Sequence, residues 1–275
     1  MRLALPVMVF CLWPLLSAAK DSPLQSLQTD DQTRGWEAVG RVDIGGRAFC
    51  TGALIAPDLV LTAAHCLYDK DSGEQFAAAD FRFSAGLRNG HVAALRAVKR
   101  TFAHPSYVYR GPENVSGVAF DLALLQLDQP IQVATIQPYA TGDDPQMGDT
   151  VEVVSYAMDR AEAPSLQKSC GVLGPQLGMM VFSCSVDFGA SGAPIFKLHD
   201  GVPQIVSVVS AKAELDGAKV SLGAQMAEPF AELLAAFGQS TGPARKSVAA
   251  PSQLPQIAMP MDANSEMKYQ NSLDL

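Results

Sequence analysis

Leu59-Val60-Leu61-Thr62-Ala63-Ala64-His65-Cys66 runs from an apolar stretch into small residues and ends on a histidine beside a cysteine. The apolar half predicts a short strand, and its small end delivers His65 into a turn. Cys50 lies sixteen residues earlier. A Cys50–Cys66 bridge would fasten the His65 loop to the preceding strand, with a loop-closure effect of about 3 kcal/mol. Taken alone, His65 reads as a buried, hydrogen-bonded histidine.

Similar short apolar runs recur on both sides, at Val39–Ile44, Ala53–Ile55, Val151–Val154 and Ile205–Val209, broken by Gly, Pro and Asp. Runs of this length predict an all-β sandwich or barrel, and the long alternating helices of an α/β fold are missing. One segment departs from this. Phe230, Leu233, Leu234 and Phe237 share one helical face, with Pro229 near the start and Gly238 near the end, so a packing helix is expected on the second half of the body.

The N-terminus carries Arg2, then an apolar run, then Ser17-Ala18-Ala19. That order predicts a signal peptide over 1–19, cleaved after Ala19. The run is shorter than the roughly 20 residues of a membrane anchor and contains Pro6 and Pro14. Cleavage leaves Cys50, Cys66, Cys170 and Cys184, an even number that suits two disulfides in a secreted or periplasmic protein. It also leaves 19 Lys and Arg against 28 Asp and Glu, a net charge of −9. Nucleic acid and anionic membrane are poor partners for such a chain, and a soluble monomer is expected. Residues 20–34 read as a polar leader. Residues 240–275, rich in Pro, Ala, Ser, Gln and Met, read as a disordered tail.

Two further segments carry chemistry. Asp121 heads the apolar run Leu122-Ala123-Leu124-Leu125, where a carboxylate needs partners or a surface position. Ser191 sits in Gly189-Ala190-Ser191-Gly192-Ala193-Pro194. Gly189 can turn its N–H toward the same point as the N–H of Ser191, as an oxyanion hole requires. Each alone is an ordinary strand cap or turn. Together they supply a nucleophile, a base and a group to orient the base.

The His65, Asp121 and Ser191 segments, in that order, resemble the three active-site motifs of the trypsin/chymotrypsin family. The likeness is strongest to its bacterial secreted members, including the glutamyl endopeptidase-like branch. An α/β-hydrolase has another residue order and needs Gly where this chain has Ala193. The resemblance implies two six-stranded antiparallel β-barrels, at 35–135 and 136–239, with the cleft between them. It implies catalytic His65, Asp121 and Ser191, an oxyanion hole at Gly189 and Ser191, polypeptide substrates and no cofactor. In that arrangement Cys170 and Cys184 bridge the hairpin leading into the Ser191 turn. A metal pair is the alternative, with an incomplete ligand set.

The chain departs from the family pattern in two places. Ala190 replaces the Asp that pairs with a newly cut N-terminus, so that activation switch is not expected. Ser185 lies at the expected pocket base, where cleavage after Lys or Arg would use Asp. Ser207 and Val209 are expected to line the pocket, and Val209 to narrow it for small uncharged side chains. Glutamyl specificity is the other reading. Asp69–Glu74 reads as a solvated turn, His104-Pro105 as a structural turn, and Asn114-Val115-Ser116 as a chance sequon match. A non-catalytic homologue that binds a partner and an esterase are the competing functions.

Overall fold

The computed structural model describes residues 21–111, 115–215, 217–240 and 267–271. The predicted signal peptide, most of the tail and Asn114 lie outside them. The first described residues are not a detached leader. Strand β1 (Gln25–Ser26) pairs antiparallel with Leu166 and Ser165. Helix α1 (Asp30–Thr33) follows, with Thr29 and Gln32 forming a capping box. Leu27 between them is buried, and Arg88 pairs with Asp30. One leucine and an unpaired strand edge are enough to dock an otherwise polar segment.

The first barrel closes through β2 (Val39–Ile44), β3 (Ala48–Ala56), β4 (Leu59–Thr62), β5 (Phe81–Ala85), β6 (Ala94–Ala103) and β7 (Ala123–Leu127), in the order β2-β3-β4-β7-β6-β5. Phe81, Phe83, Leu61 and Leu124 fill its interior. After the two-residue β8 (Ala140–Thr141), the second barrel uses β9 (Thr150–Ser155), β10 (Ser165–Gln176), β11 (Met179–Phe182), β12 (Pro194–His199), β13 (Val202–Leu215) and β14 (Ala218–Ala224). Its ring runs β9-β10-β11-β14-β13-β12 and closes from β12 back to β9. Asp200 and Gly201 turn β12 into β13 with φ of 50° and 80°. The bridges are Cys50–Cys66 and Cys170–Cys184.

Helix α2 (Ala227–Gln239) forms, and its last turn lies against β6 of the first barrel. Its buried Phe230 and Leu233 join a core cluster that draws residues from both barrels. Phe237 meets Phe102 of β6 edge-on, and the Arg100 guanidinium lies 3.9 Å from the Phe237 ring centre. Half-buried Phe102 of β6 and the stem of Arg100 supply apolar surface that the helix face needs. Asp144 caps the helix from a distant loop, accepting from the amides of Met226 and Ala227 at 2.6 and 3.1 Å. A last strand, β15 (Met267–Asn271), pairs with β13, so part of the expected disordered tail is ordered on the sheet.

The barrels lock together where Thr51 and Thr62 of the first meet the Ser191 turn of the second. Thr51 donates its amide to the Ser191 carbonyl (2.8 Å) and its hydroxyl to the Gly189 carbonyl (2.9 Å). Thr62 Oγ1 donates to the Thr51 carbonyl at 2.8 Å. Gly192, at φ 78°, sits against this pair. A Cβ there would lie 2.1 Å from Thr62 Oγ1 and 2.3 Å from the Thr51 carbonyl oxygen.

Two expectations follow. Gly192→Ala should lower unfolding free energy by about 3 kcal/mol or more in urea titrations, through strain and overpacking together. Gly201→Ala, at φ 80° with open space around it, should lose only about 1–2 kcal/mol from the backbone conformation. Second, burial holds the His104 imidazole below the usual histidine range, although Glu232 lies 3.4 Å away and opposes the shift. The unfolded chain therefore binds this proton more readily, and stability falls as pH drops below about 6.5. Urea midpoints between pH 7.5 and 5.5 should show a smaller loss for His104→Gln than for the unchanged chain.

Candidate active site

His65 enters the site from a 3₁₀ turn, Ala64–Leu67, that follows β4 directly. The adjacent Cys66 is bridged to Cys50 in β3, which fixes the turn against the barrel wall. His65 is 3 % exposed and Asp121 2 % exposed. Such a buried carboxylate must have its lone pairs met by donors. Asp121 Oδ1 accepts the His65 backbone N–H at 2.8 Å. Asp121 Oδ2 faces His65 Nδ1 at 2.5 Å and also accepts from Ser210 Oγ. The carboxylate thus selects the tautomer in which Nδ1 carries hydrogen. Nε2, on the opposite side of the ring, is the basic nitrogen, and it is buried.

Ser191 comes from the second barrel, in the turn before β12, and is 1 % exposed. The turn is held from two directions. Thr51 grips the carbonyls of Gly189 and Ser191, while the Gly192 amide donates to the Val209 carbonyl at 2.8 Å. Gly192 rests on Thr62 and Ala63, the residues that lead into His65. Val209 immediately precedes Ser210, the partner of Asp121. The Ser191 turn is therefore bonded to the same two segments that carry His65 and orient Asp121. Gly189 has φ 91°, and a Cβ there would lie 2.4 Å from the Phe49 ring. Only glycine fits that conformation and space, which is where an oxyanion-hole amide is expected. Ala190 is buried, with its amide on the Asp187 carbonyl.

A cavity of about 520 Å³ opens beside the turn. Ser185 and Asp187 line it from the segment entering the Ser191 turn, and Lys212 and Glu214 from the strand leaving Ser210. Ser207 and Val209 are not among its lining residues. The Ser207 hydroxyl donates to the Ala224 carbonyl, and Val209 lies in the second barrel's core. The functional stretch of β13 thus begins at Ser210, three residues later than the sequence led us to expect. Side-chain alternation cannot be counted along β13, because its pairing with β14 shifts between Val209 and Ala211. Ser210 itself carried no sequence signal beyond being a second serine in an apolar strand.

The cavity lining balances its charges locally. Lys212 Nζ lies 3.2 Å from Asp187 Oδ1, Arg160 pairs with Asp159 at 2.9 Å, and Glu214 faces Lys219 across β13 and β14. Burial alone would raise the Asp187 carboxyl, but the Phe188 amide and Lys212 hold it below the usual carboxylate range. At Cys50, His65 and Cys66, where side-chain atoms lie close enough for a metal, both cysteines are already bridged. The Asp69 side chain instead accepts the amides of Asp71 and Ser72 in its own turn. Among the described residues, no helix is long and apolar enough to cross a membrane.

Comparison with known proteins places this geometry. The family model Trypsin matches residues 28–224. Glutamyl endopeptidase of Bacillus licheniformis is 29 % identical over 150 residues, 54 % of this chain and 45 % of the relative. Serine protease 23 of Bos taurus is 28 % identical over 163 residues, 54 % of this chain and 43 % of the relative. The chain therefore matches a little under half the length of these curated relatives. A solved Glu endopeptidase in complex with MPD superposes with a TM-score of 0.65 at 19 % identity, covering 81 % of this chain and 99 % of that one. That likeness establishes the shared two-barrel fold. With a family model spanning well over half of its length, the chain belongs to the trypsin family.

Proposed function

We propose that the protein is a secreted serine endopeptidase acting through His65, Asp121 and Ser191. The observation that carries this reading is the buried Asp121 carboxylate, shared between His65 of one barrel and Ser210 of the other. Ser191 Oγ attacks the scissile carbonyl carbon as its proton passes to His65 Nε2. The amides of Gly189 and Ser191 hold the oxyanion that forms, a contribution of about 3–4 kcal/mol per donor. The tetrahedral intermediate expels the amine, which takes the proton back from Nε2. Water then cleaves the acyl ester by the same route. Asp121 orients the ring and stabilises the imidazolium. Two disulfides and a predicted signal peptide are consistent with action outside the cytoplasm.

The lining supports an uncharged side chain at the cleaved residue. Ser185 offers no carboxylate for Lys or Arg. The nearby cations Lys212 and Arg160 are already paired with acids, so the pocket holds no unbalanced charge for Glu either. Ala190 offers no partner for an N-terminal ammonium, so activity should not depend on a newly cut N-terminus.

The reading is tested with a fluorophosphonate label and casein digestion. The unchanged chain should be labelled and should digest casein. Ser191→Ala should lose labelling, with turnover down roughly 10⁶-fold. An unlabelled native chain rules out every serine-hydrolase reading, and labelling without proteolysis selects the esterase. Ser210→Ala should keep the label but lower kcat about tenfold with little change in KM. It removes one hydrogen bond to a charged group that positions the base. A peptide library should show little cleavage after Lys or Arg.

A further inference from the structure

Strand β13 has two different edges beyond Ser210. One is paired with β14 as far as Leu215. The other is paired with β12 only from Val202 to Val208. From Ala211 onward that second edge is left by β12 and is taken by β15. The pairing is antiparallel and unbroken, from Leu215 opposite Met267 to Ala211 opposite Asn271. The C-terminal end of β15 is thus its nearest point to Ser210, and through Ser210 to Asp121 and His65. The covered residues include Lys212, Ala213 and Glu214, which line the cavity beside the Ser191 turn.

An endopeptidase must draw an extended chain past its nucleophile, and an exposed sheet edge takes such a chain through backbone hydrogen bonds of any sequence. We propose that Met267–Asn271 is an internal competitive inhibitor, laid on the β13 edge where the substrate's extended backbone would pair. This rests on the endopeptidase reading above. The segment from 241 to 266 tethers the strand to α2. Twenty-six residues can reach roughly 85 Å when extended, more than the width of such a body. Tethering raises the local concentration of the strand to the millimolar range. A five-residue pairing too weak to hold between separate molecules then occupies the edge for much of the time. Because the tail and the substrate exclude each other, the tail raises apparent KM and leaves kcat unchanged.

The test uses the full chain carrying Tyr269→Pro and Gln270→Pro. Proline donates no hydrogen bond, and of two adjacent positions one must face β13. The substitutions lie outside both barrels, so the melting temperature should hold as a check on folding. Apparent KM for an extended peptide substrate should fall two- to tenfold with kcat unchanged, and amides of Ala211–Leu215 should exchange hydrogen faster. A synthetic peptide of residues 266–271, supplied at millimolar concentration to match the tethered strand, should restore the higher KM. Equal KM in both chains overturns the inhibitor, and equal exchange overturns the docked strand. Fluorophosphonate labelling is insensitive to this edge. Equal labelling of both chains therefore upholds the triad whichever way KM falls, and labelling of neither overturns both readings.

Discussion

The buried carboxylate of Asp121 is the constraint from which the rest of the site follows. A single charged group sits in a nearly dry interface, where leaving it unpaired would cost several kcal/mol. Its three partners come from both halves of the molecule: the His65 amide, the His65 ring and the Ser210 hydroxyl. Satisfying the charge therefore requires the two barrels to meet in one register. Thr51 and Gly192 reinforce that register with backbone contacts that tolerate no added atom. The same bonds that remove an electrostatic penalty also set the orientation of the His65 ring. Structural need and chemical need converge on one side chain.

Much of this was legible in the sequence, for particular physical reasons. His65 stood out because a strand of Leu and Val ends in Ala-Ala beside a cysteine with a partner sixteen residues back. Asp121 stood out because a carboxylate at the head of an apolar strand demands donors. The Cys50–Cys66 bridge could be named from its place beside His65, and the Cys170–Cys184 bridge followed from the family resemblance. Position along β13 was not legible. A shift in its pairing with β14 breaks the two-residue alternation on which any count from sequence depends. Ser207 and Ser210 look alike in the sequence, yet one bonds a β14 carbonyl and the other the Asp121 carboxylate.

Placement of the terminal segments also escaped the sequence. The α2 periodicity predicts an apolar face but not its partner, and the answer lay in Phe102 and Arg100 on the outside of the other barrel. Residues 21–34 are polar in composition, yet an open edge of β10 and one leucine suffice to order them. Composition reports what a segment can bury. It does not report which backbone edges elsewhere in the fold lack a partner.

That last point bears on the β13 edge. An unpaired strand edge invites association with any extended chain, and soluble proteins usually blunt such edges with charge, proline or cover. On the proposed endopeptidase reading the edge cannot be blunted permanently, because a substrate would pair there. Lys212 and Glu214 place charge there, but Lys212 is paired with Asp187 across the cavity and Glu214 stands opposite Lys219 in the sheet. A strand on a long tether meets both demands. On that proposal it covers the edge while no substrate is present, and its five pairs are few enough to yield when one arrives.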